Sequence, residues 1–158
     1  MTTVCNSTPI ISLSSVGHFD ILQQLFGEVI IAEAVYQEIK AKQSHGYREI
    51  DAPFINVMPI QGRVYCDLLL KDLDKGEAET IILAKELNAT RVLIDENLGY
   101  KLAKNAGLNV VRTLSILLKA KEAGLIPALK PILDEMVGKG RWYSHSVYQA
   151  ILERAGEI

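Results

Sequence analysis

Four short segments each carry an oxygen-bearing side chain where one site could use it: Asn6 in TTVCNSTPI, Glu38 in AVYQEIK, Glu77 in DKGEAE and Asp95 in RVLIDEN. Carboxylates gathered with an amide repel one another unless a cation sits among them, and a set of oxygen donors suits a hard ion, Mg²⁺ or Mn²⁺. Asn6 breaks the charge pattern. Its amide oxygen can ligate such an ion, but it brings no charge and cannot orient water as a carboxylate does. Glu96, next to Asp95, is a fifth candidate that would act through water if Asp95 faces the metal. Each acid also has a plainer use: Glu77 as capping partner of Asp74, Glu38 in a surface ion pair with Lys42, and Asp95 as the N-cap of the next helix. His18, His45 and His145 have no paired ligand spacing, which argues against zinc, and Cys5 and Cys66 have neither metal nor redox spacing, so both are expected to be buried free thiols.

The elements that would position these residues alternate between strand and helix. TTVCN is a short β-branched strand, and Ser7 or Thr8 before Pro9 starts a helix, which leaves Asn6 at the strand's carboxyl end. A short helix over 19–26 leads to the strand EVIIA and then to the helix AEAVYQEIKAK, where Glu38 lies beside the apolar stripe. Residues 44–59 are expected to form a loop with one strand at FINVM, a place for an insertion or a mobile lid. Asp74 and Glu77 open the helix GEAETIILAKEL, and RVLID is a buried strand with Asp95 at its carboxyl end. ENLGYKLAKNAG stops at Gly107, LNVVRT is another strand, LSILLKAKEAG stops at Gly124, and two further helices follow. Strands joined by helices predict an α/β fold with a parallel, Rossmann-like three-layer sheet, helices on both faces, and ligands outside the carboxyl ends of the strands.

The 158 residues, 49% of them hydrophobic, are expected to form a single domain over 1–158. No segment has the roughly 20 apolar residues of a membrane span, and the start lacks a secretion signal, so the expected location is cytoplasmic. Charge is uneven along the chain: residues 1–100 hold 8 Lys/Arg against 14 Asp/Glu, and residues 101–158 hold 9 against 5. This pattern describes either an acidic metal mouth beside a basic landing surface for phosphate, with Lys101, Lys104, Arg112 and Arg141 among its cations, or a set of solvated helix faces. Leu22, Leu25, Phe26, Ile31, Val35 and Tyr36 are either core or a face for a homodimer or partner. A nucleotide-binding domain is disfavoured, because neither G-x-x-x-x-G-K-S/T nor G-x-G-x-x-G follows the first strand.

Taken in order, NSTPIISL, VYQEI, LDKGEAE, LIDEN with its downstream A-x-x-A-G helix, and WYSHSVYQAILERAGE resemble the PIN-domain ribonuclease family, most closely its VapC-like toxin branch, over nearly the whole chain. The resemblance implies hydrolysis of RNA phosphodiesters with a divalent metal and a cognate antitoxin protein as partner. Carried over residue by residue, it has Glu38, Glu77 and Asp95 hold the metal directly or through water, with Asn6 in place of the family's first acid. That departure fits an impaired nuclease, an active one that recruits Glu96, or a deliberate Asp-to-Asn change. The alternative function is an inactive module that binds RNA or an antitoxin.

Overall fold

Short apolar strands that are buried on both sides pair side by side with helical crossovers between them, and the result is a parallel sheet. In a computed structural model describing residues 1–158, the elements run β1 (Thr3–Cys5), α1 (Ser7–Ser15), α2 (Ile21–Phe26), β2 (Val29–Ala32), α3 (Glu33–Lys40), a single 3₁₀ turn (Glu49–Asp51), β3 (Ile55–Met58), α4 (Arg63–Leu69) and α5 (Lys75–Glu86). They continue with β4 (Arg91–Leu93), α6 (Asn97–Asn105), β5 (Val110–Val111), α7 (Thr113–Glu122), α8 (Lys130–Gly138) and α9 (His145–Arg154). The sheet has the order β3-β2-β1-β4-β5, and every pairing is parallel. This is the expected α/β class.

The strand order creates the site. From β1 the chain builds β2 and β3 on one side, then crosses back to lay β4 on the other, with Cys5 opposite Leu93. The carboxyl ends of β1 and β4 therefore lie side by side where the strand order reverses, the crevice in which open α/β sheets bind ligands. The Asn6 backbone N–H donates to the Leu93 carbonyl at 2.9 Å, which locks the two ends together. Asn6 is the last extended residue before α1, and Pro9 sits in that helix's first turn. Gly107 and Gly124, at φ 84° and 76°, close α6 and α7 in the left-handed conformation that glycine adopts without strain.

Several expectations need adjustment. Strand β4 stops at Leu93, two residues short of Asp95, and the N-cap of α6 is Glu96 rather than Asp95. The first short helix begins at Ile21, not Phe19. The segment after α3 is tied down: the Lys40 ammonium donates to the Asp51 carboxylate at 2.7 Å and to the Tyr47 carbonyl at 2.8 Å, and the Tyr36 hydroxyl donates to Asp51 at 2.8 Å. Those two donors hold the Asp51 carboxyl below its usual range.

Leu22, Ile31 and Val35 lie in the core, with Leu25, Phe26 and Tyr36 packed partly buried against it, so they form no free face. Exposed apolar side chains gather instead on α4, as Val64, Tyr65 and Leu68, the last two beside a cavity of about 710 Å³ shared with α5 and α6. Both cysteines are buried free thiols, and burial, then Asp95 and Glu96, push the Cys5 thiol well up. No helix is long and apolar enough to cross a membrane.

Candidate functional site

Asn6 is 1% exposed and spans the seam between β1 and β4 with its amide. Its Nδ2 donates to Glu96 Oε2 at 3.2 Å, and its Oδ1 accepts a long bond from Thr80 Oγ1 at 3.5 Å. The Thr8 hydroxyl, on the first turn of α1, donates to the other Glu96 oxygen. The Glu96 side chain does not cap its own helix, so its carboxylate is free to turn toward α1. The amide at position 6 thus has a local reason: a carboxylate there would face Glu96 with no donor between them.

Glu77 sits in the first turn of α5 as half of a reciprocal capping box. Its N–H donates to Asp74 Oδ1 at 2.8 Å, and Asp74 N–H donates to Glu77 Oε1 at 3.3 Å. The second Glu77 oxygen, Oε2, faces α6 at Gly99, where an added Cβ would stand 3.0 Å from it and 3.2 Å from Ile94. Burial, with Asp74 beside it and Glu96 farther off, pushes the Glu77 carboxyl up to about 7. Glu38 is exposed on α3 and reaches the start of α5, its Oε1 3.0 Å from where a Cβ on Gly76 would lie. Glycines at 76 and 99 therefore leave the space that two of the expected acids occupy. Glu79, two residues on, points into the scaffold, accepting from the Ala34 N–H at 3.2 Å and pairing with Arg63 at 3.2 Å.

Asp95 is buried, and its carboxylate is already well supplied. Oδ1 accepts from the Thr113 N–H at 2.7 Å, and Oδ2 accepts from the Thr113 hydroxyl at 2.6 Å and from Arg141 Nη2 at 3.1 Å. The pair Asp95-Glu96 thus divides the work opposite to the sequence expectation: Glu96 meets Asn6, while Asp95 binds the start of α7 and the segment after α8. Arg112 lays its guanidinium 4.0 Å over the Tyr100 ring and donates to Asn97 Oδ1 at 3.3 Å. Lys101 and Lys104 stand exposed on α6, Lys104 at 5.9 Å from the same ring.

Sequence reasoning missed Thr8, Thr80 and Thr113, the two glycines, and the tie from Arg141 to Asp95. The NSTPI and DKGEAE segments contained Thr8 and Gly76, with Thr80 one residue further on; Thr113 and Arg141 come from far along the chain and had no local signal. The structure brings Asn6, Glu96 and Glu77 to the β1–β4 seam with Glu38 at its rim, and ties Asp95 beside Glu96 to Thr113 and Arg141. No three His, Cys, Asp or Glu side chains stand at metal-ligating spacing. The donor set nevertheless fits a hard divalent ion: the donors are oxygens, the carboxylates outnumber the cations beside them, and a cation would relieve the interactions that raise Glu77.

A family model described as a PIN domain matches residues 2–157. No curated protein matches the chain.

Proposed function

The chain belongs to the PIN-domain family, and on that premise we propose that it is a divalent-metal-dependent ribonuclease, the toxin half of a toxin–antitoxin pair. The observation that supports this reading is Glu77, a carboxyl raised to about 7 beside Asp74 and Glu96 at the point where the strand order reverses. In this proposal Glu77, Glu96 and Glu38 hold Mg²⁺ or Mn²⁺ with the Asn6 amide oxygen. When bound, the ion activates water for in-line attack on phosphorus and offsets charge on the leaving oxygen. The protein's own residues arrange the donors: Thr8 and Asn6 aim Glu96, the capping box aims Glu77, and Thr113 with Arg141 fixes Asp95 beside them. Arg112, with Lys101 and Lys104 farther along α6, receives the RNA backbone. A cognate antitoxin and a second copy of the chain are the protein partners this reading proposes.

A second reading, an inactive module that binds RNA or an antitoxin, draws on the missing charge at Asn6 and on an Asp95 carboxylate taken up by Thr113 and Arg141. RNA cleavage by this chain, by Asn6→Asp and by Glu77→Gln, in Mn²⁺, in Mg²⁺ and in EDTA, separates the two. The nuclease reading expects cleavage that EDTA and Glu77→Gln both abolish. Cleavage by Asn6→Asp alone identifies a disarmed nuclease, and silence from every form leaves the binding module.

A further inference from the structure

Beside the acidic donors opens a cleft of about 350 Å³, with Glu96, Arg112, Arg141, Trp142, Tyr143 and Val147 among its lining residues. Trp142 is the only tryptophan of the chain, and 79% of its surface is exposed. A lone exposed apolar residue needs no explanation, but the setting of this one does. Two guanidiniums stand in the same cleft. Arg112 is held over Tyr100, with a buried Nε that has no hydrogen-bond partner, and Arg141 is anchored by Asp95 and the Tyr143 hydroxyl. Three helices also begin at its wall, since Glu96, Arg112 and Ser144 are the N-caps of α6, α7 and α9; Asp95, which also lines the cleft, already takes the Thr113 N–H of α7, so the dipoles of α6 and α9 are the ones left to favour a further anion.

An open aromatic plane beside fixed cations and helix N-termini matches a nucleotide, with the base on the ring and the phosphate on the guanidiniums. We propose that this cleft is the subsite for one unpaired nucleotide of single-stranded RNA, its base stacked on Trp142 and its adjoining phosphate on Arg112 and Arg141. The proposal rests on the ribonuclease reading and specifies its substrate as a strand that can splay a base beside Glu96. A base held in a duplex cannot reach the indole face. An acidic peptide would meet the guanidiniums with carboxylates but offers no base plane joined to its anion for the open indole, which is why the nucleotide is the better occupant.

Because Trp142 is the sole indole, its emission reports directly on stacking. The test titrates the full chain in EDTA with a short uridine-rich single strand, the matching duplex, inorganic phosphate, and an acidic peptide. In parallel, an end-labelled strand is followed by anisotropy with Trp142→Ala, Trp142→Phe and Arg112→Ala. Saturable quenching by the single strand alone is expected, with binding roughly ten-fold weaker in Trp142→Ala and mostly kept in Trp142→Phe. Trp142 is exposed, so its two variants leave the packed core untouched, and circular dichroism checks the folding of all three. Unchanged emission, equal affinity in Trp142→Ala, or quenching by the peptide but not the strand overturns the subsite. Cleavage without quenching overturns the subsite and leaves the nuclease standing, while quenching without cleavage supports the subsite and removes the nuclease.

Discussion

The amide of Asn6 and the carboxyl of Glu77 differ by one charge, and that difference is measurable. Asn6 donates to Glu96 in a buried seam, so Asn6→Asp removes the donor and sets a second carboxylate against Glu96. In EDTA that variant is expected to lose about 1–3 kcal/mol by chemical denaturation, and calorimetry is expected to show tighter Mn²⁺ binding than in the Asn6 chain. Affinity unchanged from the Asn6 chain would remove position 6 from the metal site. For Glu77 the sign follows from its folded value of about 7 against an ordinary 4.5. The fold favours the neutral acid, so this contribution is complete below 4.5, declines as pH rises toward 7 and is gone above it. Thermal melts in EDTA should therefore drop in Tm across that window. Glu77→Gln, which keeps the capping acceptor, should flatten the curve and melt a few degrees higher at about pH 8. A cation reverses the preference, so metal affinity should climb with pH through the same window; equal slopes in the two proteins would discard the assignment.

At the scale of the elements, the site is a matter of how closely α5 and α6 approach. Gly99 is what lets the Glu77 carboxylate lie against α6, since a Cβ there would stand 3.0 Å from Oε2. Gly99→Ala gains up to about 1 kcal/mol of helix propensity, which offsets the crowding, so Tm is expected to move little. The displaced carboxylate should cost metal affinity and cleavage at least ten-fold, in the same calorimetric and RNA assays; retained affinity would mean that Glu77 is only a cap. The capping box itself was legible from Asp74 and Glu77 three apart, because both partners lie in one turn. The apposition of Asn6 and the end of β4 was legible too, because a parallel sheet with this strand pattern must reverse its order somewhere. Which of Asp95 and Glu96 faces Asn6 was not. That choice depends on β4 ending at Leu93 and on two bonds from Thr113, which lies 18 residues away, and no local pattern encodes a contact of that range.

For the whole molecule, the uneven charge along the chain becomes an arrangement in space. The acidic part supplies four of the five strands, and the basic part returns to their carboxyl ends through the segment after α8, where Lys139 donates to the Ser15 carbonyl and Arg141 to Asp95. Cations and carboxylates therefore meet at one edge although the net charge is only −2. In the proposed reading a single strand bound at that edge would release counterions, each phosphate neutralised contributing roughly −0.7 to the slope of log affinity against log salt concentration. Lys101 and Lys104 are exposed and make no ion pair, so both are available to phosphates. Lys101→Ala with Lys104→Ala is expected to flatten the slope by about 1.4, measured by anisotropy in EDTA from low to high salt. Trp142→Ala should do the opposite, lowering affinity at every salt concentration while leaving the slope alone, because stacking neutralises no phosphate. A slope that the lysine pair does not change would take α6 out of the RNA path and leave Arg112 and Arg141 as its only cationic contacts.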